Sequence, residues 1–273
     1  MAQNPLQNYF RQPKVFVSLP SKGVYSKPGT LDGDVLNMPV YGMTGMDEIL
    51  AKTPDALMSG ESSAKVLQSC CPGVKNPWEV SVLDTNLLFA AIRIATYGNL
   101  MTVGHVCNEC SADHEYELDL MRIVEHYGQC QYDNRIVYNN LTIKTQPLTY
   151  KQLTEASIKT YELQQKLSQA ENIENAEEKQ AAINSLWEEL ASGQRVLYLN
   201  SIESIETEET TVTERGHIAE WLDNCDSTVI DSIKEQIEKN RTIWRTPTYH
   251  VKCDSCGAEN HLTVELDQSN FFV

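Results

Sequence analysis

Apolar positions change their period several times along the chain, and each change marks an element. Lys14 to Leu19 reads as a short strand, stopped by the turn Leu19-Pro20-Ser21-Lys22-Gly23 that hands the chain to Val24 and Tyr25; Val35 to Val40 alternates as a second strand able to pair with the first. At Thr44 the period becomes helical. Thr44 with Asp47 three residues on is a capping signal, Ile49, Leu50 and Leu57 follow at near-helical spacing, and Pro54 interrupts the run. Ser62 to Cys70 predicts a second short helix, ending at Pro72-Gly73. Leu87 to Ala95 is apolar nearly all round, so a helix with Asp84 as its predicted N-cap and Gly98 after Tyr97 as its C-cap is expected to be the core of the N-terminal half.

From Met101 the period falls to two. Met101 to Val106 and Glu115 to Leu120 flank one turn, Thr248 to Lys252 and Asn260 to Leu266 flank another, and both read as hairpins. Between them, Leu118 to His126 mixes strand and short helix, and Arg135 to Thr145 predicts a further hairpin around Asn139-Asn140. Thr149 to Gln152 is a capping box opening a long amphipathic helix, whose stripe is Leu153, Ala156, Leu163, Leu167 and Ala170. A second helix from about Ala176, through Ile183, Leu186, Trp187 and Leu190, to near Leu199 completes an antiparallel helical hairpin. Ser201 to Val212 reads as a polar, extended connection, and helical signals return at Ile218 to Leu222 and Val229 to Ile237.

The two hairpin turns carry the chemistry. Cys107-Asn108-Glu109-Cys110 and Cys253-Asp254-Ser255-Cys256 each place two thiols on a tight turn, and together they supply the four-sulfur tetrahedron that zinc prefers. Cys107, Cys110, Cys253 and Cys256 are therefore the predicted ligands of one structural Zn2+ in a split zinc ribbon. Its halves are 142 residues apart, a long loop whose closure entropy nonetheless grows slowly, and an independently folded insertion shortens it further. A pair of disulfides or redox turns is the alternative. It fits less well, because neither turn opens a helix as thioredoxin-type sites do. Cys70, Cys71, Cys130 and Cys225 read as buried thiols outside the site. His105, His114, His250 and His261 lie near the turns and read as surface or outer-shell groups rather than replacements for a cysteine.

Charge narrows the function. The chain of 273 residues carries a net charge of −16, and residues 153–240 hold 19 acidic against 7 basic residues. Such acidity opposes phosphate backbones and anionic membranes, and the turns themselves carry Glu109, Asp113, Asp254 and Glu259, so no nucleic acid is expected. The longest apolar stretch, Leu87 to Ala95, includes Arg93 and is too short to span a bilayer; Met1 to Arg11 is polar, an arm with Tyr9 and Phe10 as its large aromatic groups. A soluble protein made in a cytoplasm is expected. A four-cysteine zinc has no exchangeable position, and no phosphate loop, serine elbow or zinc-protease helix is present, so the sequence predicts no enzyme and no small-molecule substrate.

The expected fold is α+β: residues 1–100 as a small N-terminal sheet with helices and an extended arm, 101–147 with 242–273 as the split zinc ribbon, and 148–241 as an inserted acidic helical subdomain. The succession Leu19 to Gly23 with Tyr25, Met43-Thr44-Gly45-Met46-Asp47-Glu48 with Leu50, Asp84 with Asn86-Leu87-Leu88 through Ile92-Arg93-Ile94-Ala95 to Tyr97-Gly98, and Val106-Cys107 with Cys110 resembles the T4-type bacteriophage baseplate protein family, over about residues 15 to 120. That resemblance implies a structural or assembly component of a contractile-tail baseplate, in its inner or hub region. It would act through contacts with other baseplate or tail proteins in a hetero-oligomeric assembly, in the host cytoplasm during assembly and in the virion tail afterwards. The competing expectation is a cytoplasmic zinc-ribbon adaptor or regulator that contacts nucleic acid.

Overall fold

The computed structural model describes residues 5–6, 9–53 and 59–264. The Pro54 break, Leu57 and the last residues of the second ribbon arm, Leu266 among them, lie outside the described residues. The fold is α+β, and every strand pairing among the described residues is antiparallel. The chain divides into two compact units, one of residues 1–131 with 244–273 and one of residues 132–243.

In the first unit, β1 (Pro13–Val17) pairs with β2 (Met38–Tyr41). Three helices follow: α1 (Gly45–Ala51), α2 (Glu61–Cys70) and α3 (Val82–Tyr97). The α1 capping box is formed as the sequence predicts, with Thr44 and Asp47 bonding each other's backbone. Leu87 through Ile92 of α3 are buried, so this helix is the centre of the unit, and Gly98 ends it with a positive φ of 93°. Close approach matters at Gly42, where a Cβ would stand 2.8 Å from the Ala95 carbonyl oxygen of α3. Arg11, the last residue of the predicted arm, is tied down by donating to the carbonyls of Gly42 and Ser69 at 2.6 and 2.7 Å, beside the Asp47 carboxylate.

One expectation is corrected here. Asp84 does not cap α3: Ser81 does, accepting from the Leu83 N–H, and Asp84 sits within the first turn with its carboxylate fully buried. There it receives the Ser21 N–H at 3.0 Å and the Ser21 hydroxyl, pinning the turn in which Lys22 and Gly23 adopt positive φ. A carboxylate serves better as a clamp than as a cap because it can accept both donors of Ser21 at once.

Next come β3 (Leu100–Val106), β4 (Asp113–Asp119) and α4 (Met121–Gln129), and after the second unit β9 (Thr248–Lys252) and β10 (Glu259–Thr263). The returning hairpin docks on the middle of the chain: Tyr249 donates its hydroxyl to the Asp119 carbonyl at 2.8 Å, the Arg122 guanidinium lies over the Tyr249 ring, and Trp244 stacks on Tyr127.

The second unit carries a four-stranded sheet, β5 (Arg135–Tyr138), β6 (Leu141–Thr145), β7 (Ile202–Glu206) and β8 (Thr211–Val212), in that order, with helices α5 (Tyr150–Glu171), α6 (Ala176–Ser201), α7 (Arg215–Asn224) and α8 (Ser227–Ile243). Ile136, Ile143, Ile202, Ile205, Ile218, Leu222, Val229 and Ile233 form its core. The stretch read as a polar connection, Ser201 to Val212, instead contributes two strands, because Ile202 and Ile205 are buried in the core of the unit and β7 pairs with β6 through a register irregularity opposite Ile202 and the buried Ser204. The unit closes on itself: the Asp133 N–H donates to Asn240 Oδ1 at 3.0 Å and Asn240 Nδ2 donates to the Asp133 carbonyl at 2.7 Å. The α5–α6 hairpin forms as predicted, yet its seam is only half covered, with Trp187 64% exposed.

Burial pushes the Asp84 carboxyl from 3.8 up to about 6, against the two Ser21 hydrogen bonds that favour its ionised form. An acid with a raised folded pKa binds its proton more tightly when folded, so its contribution to stability falls as pH climbs from about 4 to about 6 and is flat above. Asp84→Asn, which keeps a donor and an acceptor for Ser21, is expected to remove this fall and to be at least as stable as the parent at pH 7. Asp84→Ala strands both Ser21 donors and is expected to cost about 1–3 kcal/mol. Urea denaturation at pH 5 and pH 7 measures both effects.

Candidate metal centre

The two cysteine hairpins have the same backbone, residue for residue, at an offset of 146 positions (253 − 107). The Cys107 N–H donates to the Ala112 carbonyl at 2.9 Å, and the Cys253 N–H to the Ala258 carbonyl at 2.9 Å. The Ser111 and Gly257 N–H groups return to the carbonyls of Cys107 and Cys253 at 2.9 and 2.8 Å, each from a left-handed conformation with φ of 56° and 76°. These are one turn built twice. Glycine meets the positive φ without strain at 257, whereas Ser111 adopts it at a small cost.

The structure brings all four predicted ligands together. The sulfurs of Cys107, Cys110, Cys253 and Cys256 lie within 4.8 Å of one another, with Cys107 to Cys256 at 3.7 Å and Cys110 to Cys253 at 3.6 Å. A tetrahedron with metal–sulfur bonds of about 2.3 Å has edges of about 3.8 Å, so the cluster has the dimensions of a four-sulfur metal site. A disulfide would need sulfurs about 2.0 Å apart, and none of the eight cysteines is in one. Cys107 and Cys253 are buried, while Cys110 and Cys256 face solvent.

Hydrogen bonds within the tetrad concentrate negative charge on the Cys107 sulfur. N–H groups of Cys110 and Glu109 aimed at the Cys107 sulfur bring its pKa down to about 6. The Ala112 amide favours the Cys110 thiolate in the same way, but desolvation and the neighbouring Cys253 and Cys107 sulfurs push the thiol up overall. At Cys256 the Ala258 amide is outweighed by the sulfurs of Cys110 and Cys253, and the thiol rises to about 12. One thiolate is stabilised at the expense of the others, and a divalent ion at the centre removes that conflict.

Around the sulfurs, His114 Nε2 lies 3.3 Å from Cys253 Sγ and 3.2 Å from Ser255 Oγ, and Asn260 Nδ2 donates to Cys107 Sγ at 3.6 Å. Asn260 was not singled out from the sequence. Its signal was available, because it occupies in the second hairpin the position His114 holds in the first. His105 Nε2 lies 3.4 Å from Asn260 Oδ1, whereas His250 and His261 pair edge to face across β9 and β10. The remaining cysteines stay apart from the cluster; burial pushes Cys70 up to about 11, which leaves it an unreactive thiol.

The family model of the T4 bacteriophage base plate protein matches residues 43–273. The chain belongs to this baseplate family. The match takes in α1, the buried α3, both cysteine hairpins and the whole second unit, and begins after β2, so the Ser21 turn precedes it. No curated protein and no solved structure matches the chain. For a baseplate protein the four-sulfur cluster is compatible with a metal that closes the chain's end onto its middle.

Because ligation requires thiolates, loading the metal-free protein with zinc at pH 7 is expected to release protons, chiefly from Cys110 and Cys256. The yield per ion should rise as the pH is lowered through about 6, where Cys107 too starts protonated. A pH indicator in weakly buffered solution reads the release directly; uptake of zinc without protons would contradict the assignment.

Proposed function

We propose that this baseplate protein is a non-enzymatic structural or assembly component of the inner, hub region of a contractile tail, acting through contacts with other baseplate or tail proteins, and that Cys107, Cys110, Cys253 and Cys256 hold one structural Zn2+. The observation that carries the reading is the gathering of four sulfurs from two identical turns in a chain of the baseplate family. A closed four-thiolate shell leaves zinc no site for water or substrate, so its contribution is rigidity. The chain would be made in the host cytoplasm and incorporated, with its partners, into the tail.

The second unit supplies support for the contacts. Leu153, Leu167 and Trp187 are exposed on a helical hairpin whose stripe has too little of its own chain to cover it. Among the described residues no helix is long and apolar enough to cross a membrane, which leaves protein as the natural cover for such a stripe.

Two sets of variants test the reading. Cys107→Ser and Cys253→Ser, each removing a buried ligand, are expected to lose stoichiometric zinc by elemental analysis and to unfold at a melting temperature lower by several degrees, at least about 2–4 kcal/mol of stability; full zinc in both would defeat the assignment. Trp187→Glu and Leu167→Glu are expected to shift stability by no more than about 0.5 kcal/mol, yet to block co-purification with tail assemblies from infected cells. Normal incorporation of these variants would remove the helical hairpin from the contact surface.

A further inference from the structure

The equivalence of the two hairpins extends two positions beyond the turns that Ala112 and Ala258 close. Four residues after the second cysteine of each stands a side chain with an N–H to give: His114 after Cys110, and Asn260 after Cys256. Each crosses to the opposite hairpin and reaches the corresponding atom there, the sulfur of its first cysteine, at 3.3 Å for His114 to Cys253 and 3.6 Å for Asn260 to Cys107. We propose that His114 and Asn260 are paired positioning residues of the metal centre, each donating a hydrogen bond across the ribbon to the buried thiolate of the other hairpin. The proposal rests on the reading of the tetrad as a zinc site.

Three observations support it. First, four thiolates around a dication leave a net negative centre, and the same turns add Glu109, Asp113, Asp254 and Glu259, so hydrogen-bond donors to sulfur are needed. Second, the need is unequal: Cys110 and Cys256 face solvent and can be hydrated, whereas Cys107 and Cys253 are buried. The two buried sulfurs are the ones that receive His114 and Asn260. Third, the donors are oriented. Asn260 Oδ1 faces the Asn108 N–H and His105 Nε2, both at 3.4 Å, which turns its amide nitrogen toward Cys107. A metal-bound thiolate has no proton to give, so at Cys253 the donor is His114 Nε2–H.

Each bond runs from one hairpin to the other's ligand. The pair therefore does what the metal does, joining the two halves, and it does so only when both halves are present. Donors of this kind typically change metal affinity about 10- to 100-fold.

The test uses the full chain with His114→Ala, Asn260→Ala and His114→Asn, the last placing in the first hairpin the residue found in the second. Zinc transfer to a colorimetric chelator and the sulfur-to-cobalt charge-transfer bands of the Co2+-substituted protein are the readouts. The alanine variants are expected to bind one ion, to surrender it about 10- to 100-fold more readily and to shift the cobalt bands, with His114→Asn restoring most of the parent behaviour. Unchanged retention and an unchanged cobalt spectrum in His114→Ala would overturn the proposal, and because His114 is only half-buried this arm survives if Asn260→Ala does not fold. A parent protein that binds no ion at all would instead overturn the zinc reading beneath it.

Discussion

The meeting of two cysteine turns across 142 residues of sequence is the constraint on which the first unit depends. Closing a flexible loop of that length costs on the order of 5 kcal/mol in chain entropy, while a structural zinc bound by such a site contributes about 10–16 kcal/mol to folding. The balance is more favourable still, because the intervening unit closes itself. Asp133 and Asn240, hydrogen-bonded to one another at the two ends of that unit, bring its chain ends together without help from the cysteines. The proposed ion thus has only the last hairpin to hold, and Tyr249 and Trp244 already dock that hairpin on the chain's middle.

Elsewhere the fold uses one recurring device, a polar side chain placed where two distant segments cross. Asp84 of α3 holds the Ser21 turn, Arg11 joins the N-terminal segment to the Gly42 and Ser69 carbonyls, and Asn240 closes the second unit. Each such group is satisfied on several sides, which is what makes a buried polar atom specific rather than merely costly. His114 and Asn260 follow the same pattern at the cysteine cluster.

Local signals were legible in the sequence and long-range ones mostly were not. The Thr44 and Thr149 capping boxes, the apolar α3 and the helical hairpin follow from short-range spacing, and the structure contains all of them. The clustering of the four cysteines was legible because each pair, two residues apart, stands on one tight turn and the two turns match. Asp84 was misplaced as a cap because its partner Ser21 is 63 residues away, beyond the reach of any capping rule. Ser201 to Val212 was read as a connection because its polar residues outnumber Ile202 and Ile205, the two whose burial decides the matter. Asn260 was overlooked for want of aligning one hairpin on the other.

In the structural role proposed for this baseplate protein, a closed thiolate shell would supply rigidity where two short hairpins meet. The central claim is that one zinc sits at the junction of both turns. X-ray absorption at the zinc edge of the purified protein addresses it directly. One ion per chain with a single shell of four sulfurs at about 2.3 Å is the expected result. Nitrogen or oxygen in that shell, or a protein that folds fully with no zinc, would contradict the account.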